Sequence, residues 1–161
     1  MLALAVLIYA LAMTLANLSV AAFGPSMIPV NALVLIGLDL ALRDWLHVRL
    51  RAVEMLALIA AAGALTYAFN PDAGRIGWAG SVAFTSAALV DWAVFSALPG
   101  PWLLRSNGSN AAGALVDSLV FPLAAGFSLA YVPVMFAAKL AGGAAWTLAL
   151  ARLRRLDARA P

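Results

Sequence analysis

The chain has 161 residues, 65% of them hydrophobic and 11% charged, with a net charge of +3 and a mean hydropathy of +0.99. A soluble domain carries about 25% charged residues, so these side chains cannot cover a water-facing surface, and lipid is the solvent they fit. There is no Cys, which excludes disulfides, thiolate nucleophiles and thiolate metal sites, and the single His, His47, cannot build a His-rich metal centre.

A membrane-crossing helix uses about 20 residues, and six apolar runs separated by turn signals fill most of the chain. The first is expected over residues 2–22, ending at Phe23-Gly24-Pro25. No Lys or Arg precedes it, and the apolar run contains Asn17, so it reads as a first span and not as a cleaved signal peptide. The second is expected over 27–45, with Pro29 near its start, and the third over 53–69, ending at Asn70-Pro71-Asp72. The fourth runs over 76–98 and stops before Pro99-Gly100-Pro101. The fifth is expected over 109–127, with Pro122 near its end, and the sixth over 132–150. The fold class is therefore an all-α membrane protein, one domain of six transmembrane helices in one bundle.

Charge placement sets an orientation. With an even number of spans both termini share a side, and that side holds Arg43, Arg49, Arg51, Arg105, Arg152, Arg154, Arg155 and Arg159. The other side holds only Arg75. The positive-inside rule makes the Arg-rich side and both termini cytoplasmic, in a cell membrane. The tail from Arg152 to Arg159 then serves as a membrane-surface anchor, and no nucleic acid is expected as partner.

Polar residues inside the spans are the candidates for function. A charge at mid-membrane costs about 2.5–3.5 kcal/mol on insertion scales, yet Asp39, Asp91, Asp117 and Lys139 all fall within spans, with Asn17 and Asn31. They must face one another or a polar cavity. Asp117 and Lys139 lie at similar distances from the turn between the fifth and sixth spans, so an ion pair is expected, structural or functional. Arg43 stands one turn after Asp39 and is its expected local partner. Phe84 and Phe95 share the helix face of Asp91, where a carboxylate between rings suits a flat, hydrogen-bond-donating heterocycle; ordinary core contacts are the plainer reading of the rings. In the fifth span Ser109, Gly113 and Asp117 repeat every four residues and Asn110 shares the face of Asp117. Gly113 would let a helix or a solute approach the backbone. Ala12-Met-Thr-Leu-Ala16 is a small-xxx-small pattern that allows a second copy as partner without specifying one.

Three stretches carry a family resemblance. Residues 29–47, from Pro29 through Asn31, Gly37, Asp39 and Arg43 to His47, resemble the second-helix signature of the queuosine-precursor transporter family, also called the vitamin uptake transporter (VUT) family. Residues 81–96, ending Val-Asp91-Trp-Ala-Val-Phe-Ser, resemble its fourth helix. Ser109-Asn110-Ala-Ala-Gly113-Ala-Leu-Val-Asp117-Ser118-Leu-Val-Phe121 is similar to the family's S-N-x-x-G-x-x-x-D-S-x-x-F pattern. One position departs, since Val90 stands where many members carry a second acidic residue. The resemblance implies uptake of 7-cyano-7-deazaguanine or 7-aminomethyl-7-deazaguanine, precursors of a modified tRNA base. Asp117 and Asp91 would read the donor edge, Asn110 and Asn31 would orient the base, and Lys139 would set local charge or meet the carbonyl. Phe84 and Phe95 would stack on the flat face, and Asp39 is a further candidate substrate-binding residue.

The alternative is the substrate-binding subunit of an energy-coupling-factor importer for a vitamin-like solute. The chain has no G-x-x-x-x-G-K-[ST], so an ATPase partner would be a separate chain. Neither reading requires a cofactor or a metal, and a membrane enzyme is disfavoured by the lone His and the lack of Cys.

Overall fold

The computed structural model describes the backbone of residues 2–47 and 49–157, and the side chains among them except those of Asp44, His47 and residues 153–157. The expectations for His47, Arg154, Arg155 and Arg159 fall outside the described side chains. The described residues are almost entirely helical, with no strand among them.

Helix α1 spans Leu2–Phe23 and turns at Gly24, whose φ of 77° is the left-handed conformation that glycine tolerates. The next span is continuous but changes winding. It passes from a 3₁₀ turn (Pro25–Met27) through α2 (Ile28–Asn31) and a π turn (Ala32–Ile36) into α3 (Gly37–His47). Helix α4 covers Ala52–Phe69 and begins where the Glu54 carboxylate accepts the Arg51 backbone N–H at 2.8 Å. Helix α5 covers Gly74–Ala97, α6 covers Trp102–Ala125 and α7 covers Val132–Asp157.

Among the described residues five stretches are long and apolar enough to cross a membrane: Leu2–Phe23, Pro25–Arg43, Ala52–Phe69, Pro71–Ala97 and Leu129–Arg152. Helix α6 is 24 residues long, but Arg105, Ser106, Asn107, Ser109, Asn110, Asp117 and Ser118 lower its hydropathy. It starts at Trp102, not at the expected Ser109. Its early polar side chains find backbone acceptors: Arg105 donates to the Phe95 carbonyl near the end of α5 from Nε (3.0 Å) and Nη2 (2.8 Å), and Asn107 donates to the Leu103 carbonyl of its own helix at 2.7 Å.

Burial runs opposite to that of a soluble protein. Leu4, Leu7, Leu15, Leu104 and Leu123 are more than half exposed, while Asn17, Asn31, Asp39, Arg43, Asp91, Asp117 and Lys139 are at most 5% exposed. Apolar surface outside and polar groups inside is the arrangement lipid demands, and it marks a membrane-embedded protein.

Packing fixes where the polar groups meet. The most extensive contact is α5 with α6, and α7 lies against α3, the π turn and α6. Small residues set both crossings. A Cβ on Gly113 would lie 3.3 Å from the Ala87 carbonyl and 3.3 Å from the Asp91 Cβ, so both the Ala87 backbone and the Asp91 side chain approach Gly113. A Cβ on Gly37 would lie 2.6 Å from the Gly142 carbonyl carbon, and one on Gly142 would collide with the Leu33 carbonyl. At the same crossing the Trp146 indole donates to the Val34 carbonyl at 3.1 Å. A neighbouring helix thus supplies a donor to the π turn, whose i→i+5 pattern disturbs the regular ladder.

Candidate functional site

Three polar clusters lie inside the spans. The first surrounds a cavity of about 350 Å³, measured to its open side, between α1, the π-turn span, α5, α6 and α7. Its polar wall is Asn17, Asn31, Asp117 and Lys139, and Phe84 and Phe121 face it among aliphatic side chains. Lys139 forms an ion pair with Asp117 and donates to Ser118 Oγ at 3.2 Å. Asn31 donates through Nδ2 to the Ala16 carbonyl (3.0 Å) and to Ser19 Oγ (2.7 Å), which fixes its amide plane. Asn17 donates to Thr66 Oγ1 at 3.3 Å. Its carboxamide lies against Gly80, where an added Cβ would come within 2.5 Å of Oδ1.

The second cluster is centred on α3. Asp39 and Arg43 form an ion pair across one helical turn, from Nη2 to Oδ2. Both are buried, and the fully buried Tyr9 brings its hydroxyl beside them from α1. Arg43 Nε and Nη1 and Asp39 Oδ1 make no hydrogen bond. Arg43 also lies within electrostatic range of Asp91 and Asp117. Arg43 and Asp91 share the wall of a second cavity of about 550 Å³, measured to its open side. Leu50, Met55, Leu56, Ala88 and Trp92 complete most of it.

The third cluster ties α6 to α7. Asn110 Nδ2 donates to Ser106 Oγ at 3.5 Å and to Thr147 Oγ1 at 3.4 Å. The two hydroxyls stand 3.5 Å apart.

None of the eight residues singled out in the sequence is more than 5% exposed, but they do not form one constellation. Asn31, Phe84, Asp117 and Lys139 line the first cavity. Asp39 is engaged by Arg43, and Asp91 opens onto the second cavity. Asn110 lies at the α6–α7 knot and lines neither cavity. Phe95 lies under the Arg105 guanidinium, 4.2 Å from ring centroid to Cζ, and is separated from Phe84 by about 16 Å of helix. Asn17, Tyr9 and Ser118 were not among the eight. Asn17 carried a signal, since an amide within a span needs a partner, and Tyr9 carried none.

Within the described spans the buried charges are three carboxylates (Asp39, Asp91, Asp117) and two cations (Arg43, Lys139). No group of three or more metal-ligating side chains comes together among the described residues. No protein-family model, curated protein or solved structure matches this chain.

Proposed function

We propose that this protein is a carrier importing a queuosine precursor, 7-cyano-7-deazaguanine or its aminomethyl relative, through the Asp117–Lys139 cavity. Its six spans stand as one bundle in the cell membrane with both termini in the cytoplasm. The observation that carries this reading is a partly open hollow among apolar spans whose wall holds a carboxylate, an ammonium and two carboxamides.

The chemistry of the wall suits a lactam edge. Lys139 and Asp117 satisfy each other across the cavity wall. A guanine-type ring offers a carbonyl beside a ring N–H and an exocyclic amine. The carbonyl can replace the carboxylate as acceptor for Lys139, and the two N–H groups can replace the ammonium as donors to Asp117. The solute thus replaces each group's hydrogen-bond partner, while the two charges stay close enough on one wall to balance each other. Asn31, held by two hydrogen bonds, presents a fixed amide edge, and Phe84 and Phe121 border the flat face. Arg49, Arg51, Arg105 and Arg152 at one end of the spans, against Arg75 at the other, support the orientation.

The test is uptake of labelled precursor into proteoliposomes containing this chain alone. Asp117→Asn is expected to lower the initial rate at least tenfold with insertion unchanged. Unchanged uptake in that variant removes the site assignment. Uptake that requires an added ATPase pair replaces the lone carrier with the importer-subunit reading.

A further inference from the structure

The two carboxamides on the wall of the first cavity have turned their nitrogens toward the protein and kept their oxygens back. Asn31 uses Nδ2 twice, on the Ala16 carbonyl and on Ser19 Oγ, and the Ser19 hydroxyl sends its own proton to the Ala16 carbonyl at 3.0 Å. Asn17 uses Nδ2 on Thr66 Oγ1. The Thr66 hydroxyl donates to the Ala62 carbonyl at 3.0 Å, so toward Asn17 it can only accept. That fixes which end of the Asn17 amide faces Thr66. Among the described residues neither Oδ1 accepts a hydrogen bond, and neither oxygen is sealed from accessible space. An amide oxygen without a donor among hydrocarbon spans is a cost that a donor on a solute would recover.

The placement of the Asn17 amide gives its oxygen a particular partner. The amide lies against Gly80 of α5, and Phe84, one turn further along the same helix, borders the cavity. Lys139 stands on α7, Asp117 on α6 and the Asn17 amide against α5, and α6 packs against both α5 and α7. Around the wall the order is therefore ammonium, carboxylate, amide oxygen. Along the edge of a 2-amino lactam the order is carbonyl, ring N–H, exocyclic amine. The carbonyl meets Lys139, and Asp117 accepts from the ring N–H and from one hydrogen of the amine. The second hydrogen of the amine is left over, and Asn17 Oδ1 is the next acceptor along the wall. The levels agree: Asn17 and Asp117 lie about 9 Å and 12 Å from the ends of their helices, Phe23 and Ala125, on the same side of the bundle.

We propose that Asn17 is a specificity-determining residue of this cavity: its Oδ1 accepts the second hydrogen of an exocyclic amine, so the cavity takes amino-lactam heterocycles and rejects lactams that lack the amine. This rests on the carrier reading of the first cavity. A solute without the amine leaves the Asn17 oxygen and one Asp117 contact unmet, which is the arrangement that discriminates most strongly. Thr66 is a positioning residue, since it touches the Asn17 nitrogen and not the solute. Asn31 has spent both N–H groups, so it cannot meet the ring carbonyl and leaves that to Lys139.

The experiment is equilibrium dialysis of the purified chain in detergent against two ligands, 7-cyano-7-deazaguanine and 7-cyano-7-deazahypoxanthine, the same ring without the amine. The natural chain is expected to bind the first at least tenfold more tightly. Asn17→Leu is expected to weaken the first at least tenfold and the second less than twofold, so the preference falls at least fivefold. Thr66→Val keeps the shape of residue 66 and leaves Asn17 in place but frees its amide, and it should lower the same preference at least threefold. That variant decides the matter if Asn17→Leu does not fold. Equal weakening of both ligands by Asn17→Leu makes Asn17 only a tie between α1 and α4 and overturns the proposal, as does a preference that neither variant changes. Either result leaves the carrier reading standing if Asp117→Asn still abolishes binding. No binding of either ligand to the natural chain overturns both.

Discussion

The Asp117–Lys139 pair permits a test that separates holding the spans together from serving a solute. Both side chains are buried, at 4% and 1% exposure, and Lys139 has a second acceptor in Ser118. Two unit charges about 4 Å apart at an effective dielectric of about 20 attract by about 4 kcal/mol. Removing one partner forfeits that and strands the other charge, so Lys139→Met or Asp117→Leu alone should destabilise the protein by about 3–5 kcal/mol. Replacing both with apolar residues of similar volume removes the attraction and the burial cost together, so the double variant should lie within about 1 kcal/mol of the natural chain. The assay is a double-mutant cycle from reversible unfolding in mixed micelles, followed by far-ultraviolet circular dichroism, with uptake measured on the same four proteins. A stable double variant with uptake reduced at least tenfold is the expected outcome. Single variants that each cost under about 1 kcal/mol would refute the buried-pair reasoning, and a double variant that transports normally would refute the role assigned to the pair.

Two further predictions concern the scaffold. Gly142→Ala should lower stability by about 1–3 kcal/mol, because the new methyl meets the Leu33 carbonyl, whereas Gly143→Ala should be close to neutral, since its nearest neighbour would be the Leu40 side chain at 3.7 Å. Thermal unfolding of the two side by side checks this, and equal effects would contradict the tight crossing. Because the chain has no Cys, single cysteines report topology cleanly. Ser128→Cys should react with an impermeant maleimide on intact cells and Leu50→Cys only after permeabilisation, and the reverse pattern would invert the orientation.

The long apolar runs are legible because lipid leaves little choice: a stretch of about 20 residues without internal partners must be a helix. The start of α6 was not legible, because Arg105 and Asn107 resemble loop residues until the Phe95 and Leu103 carbonyls that receive them are known. The π turn was not legible either, since its surroundings include the Gly37–Gly142 crossing and the Trp146 indole, both contacts bridging more than 100 residues of sequence. The two ion pairs could be read beforehand, one from helical spacing and one from equal distances to a turn. What each polar face looks onto could not. Phe84 and Phe95 share a helix face, yet one borders the first cavity and the other shields Arg105. Periodicity gives the angle around a helix and says nothing of which neighbour stands at each level.

The polarity of α6 bears on how the protein enters its membrane. A segment with Arg105 and Asp117 in its length and a run of serines and asparagines between them partitions poorly from the translocon into lipid as a single unit. Helix α5, which has the most extensive contact with it, is apolar enough to insert independently. The chain therefore favours co-insertion of the two as a hairpin, with α5 escorting its neighbour. A nascent chain halted before Trp102 should integrate, whereas α6 presented without α5 should slip through to the aqueous side.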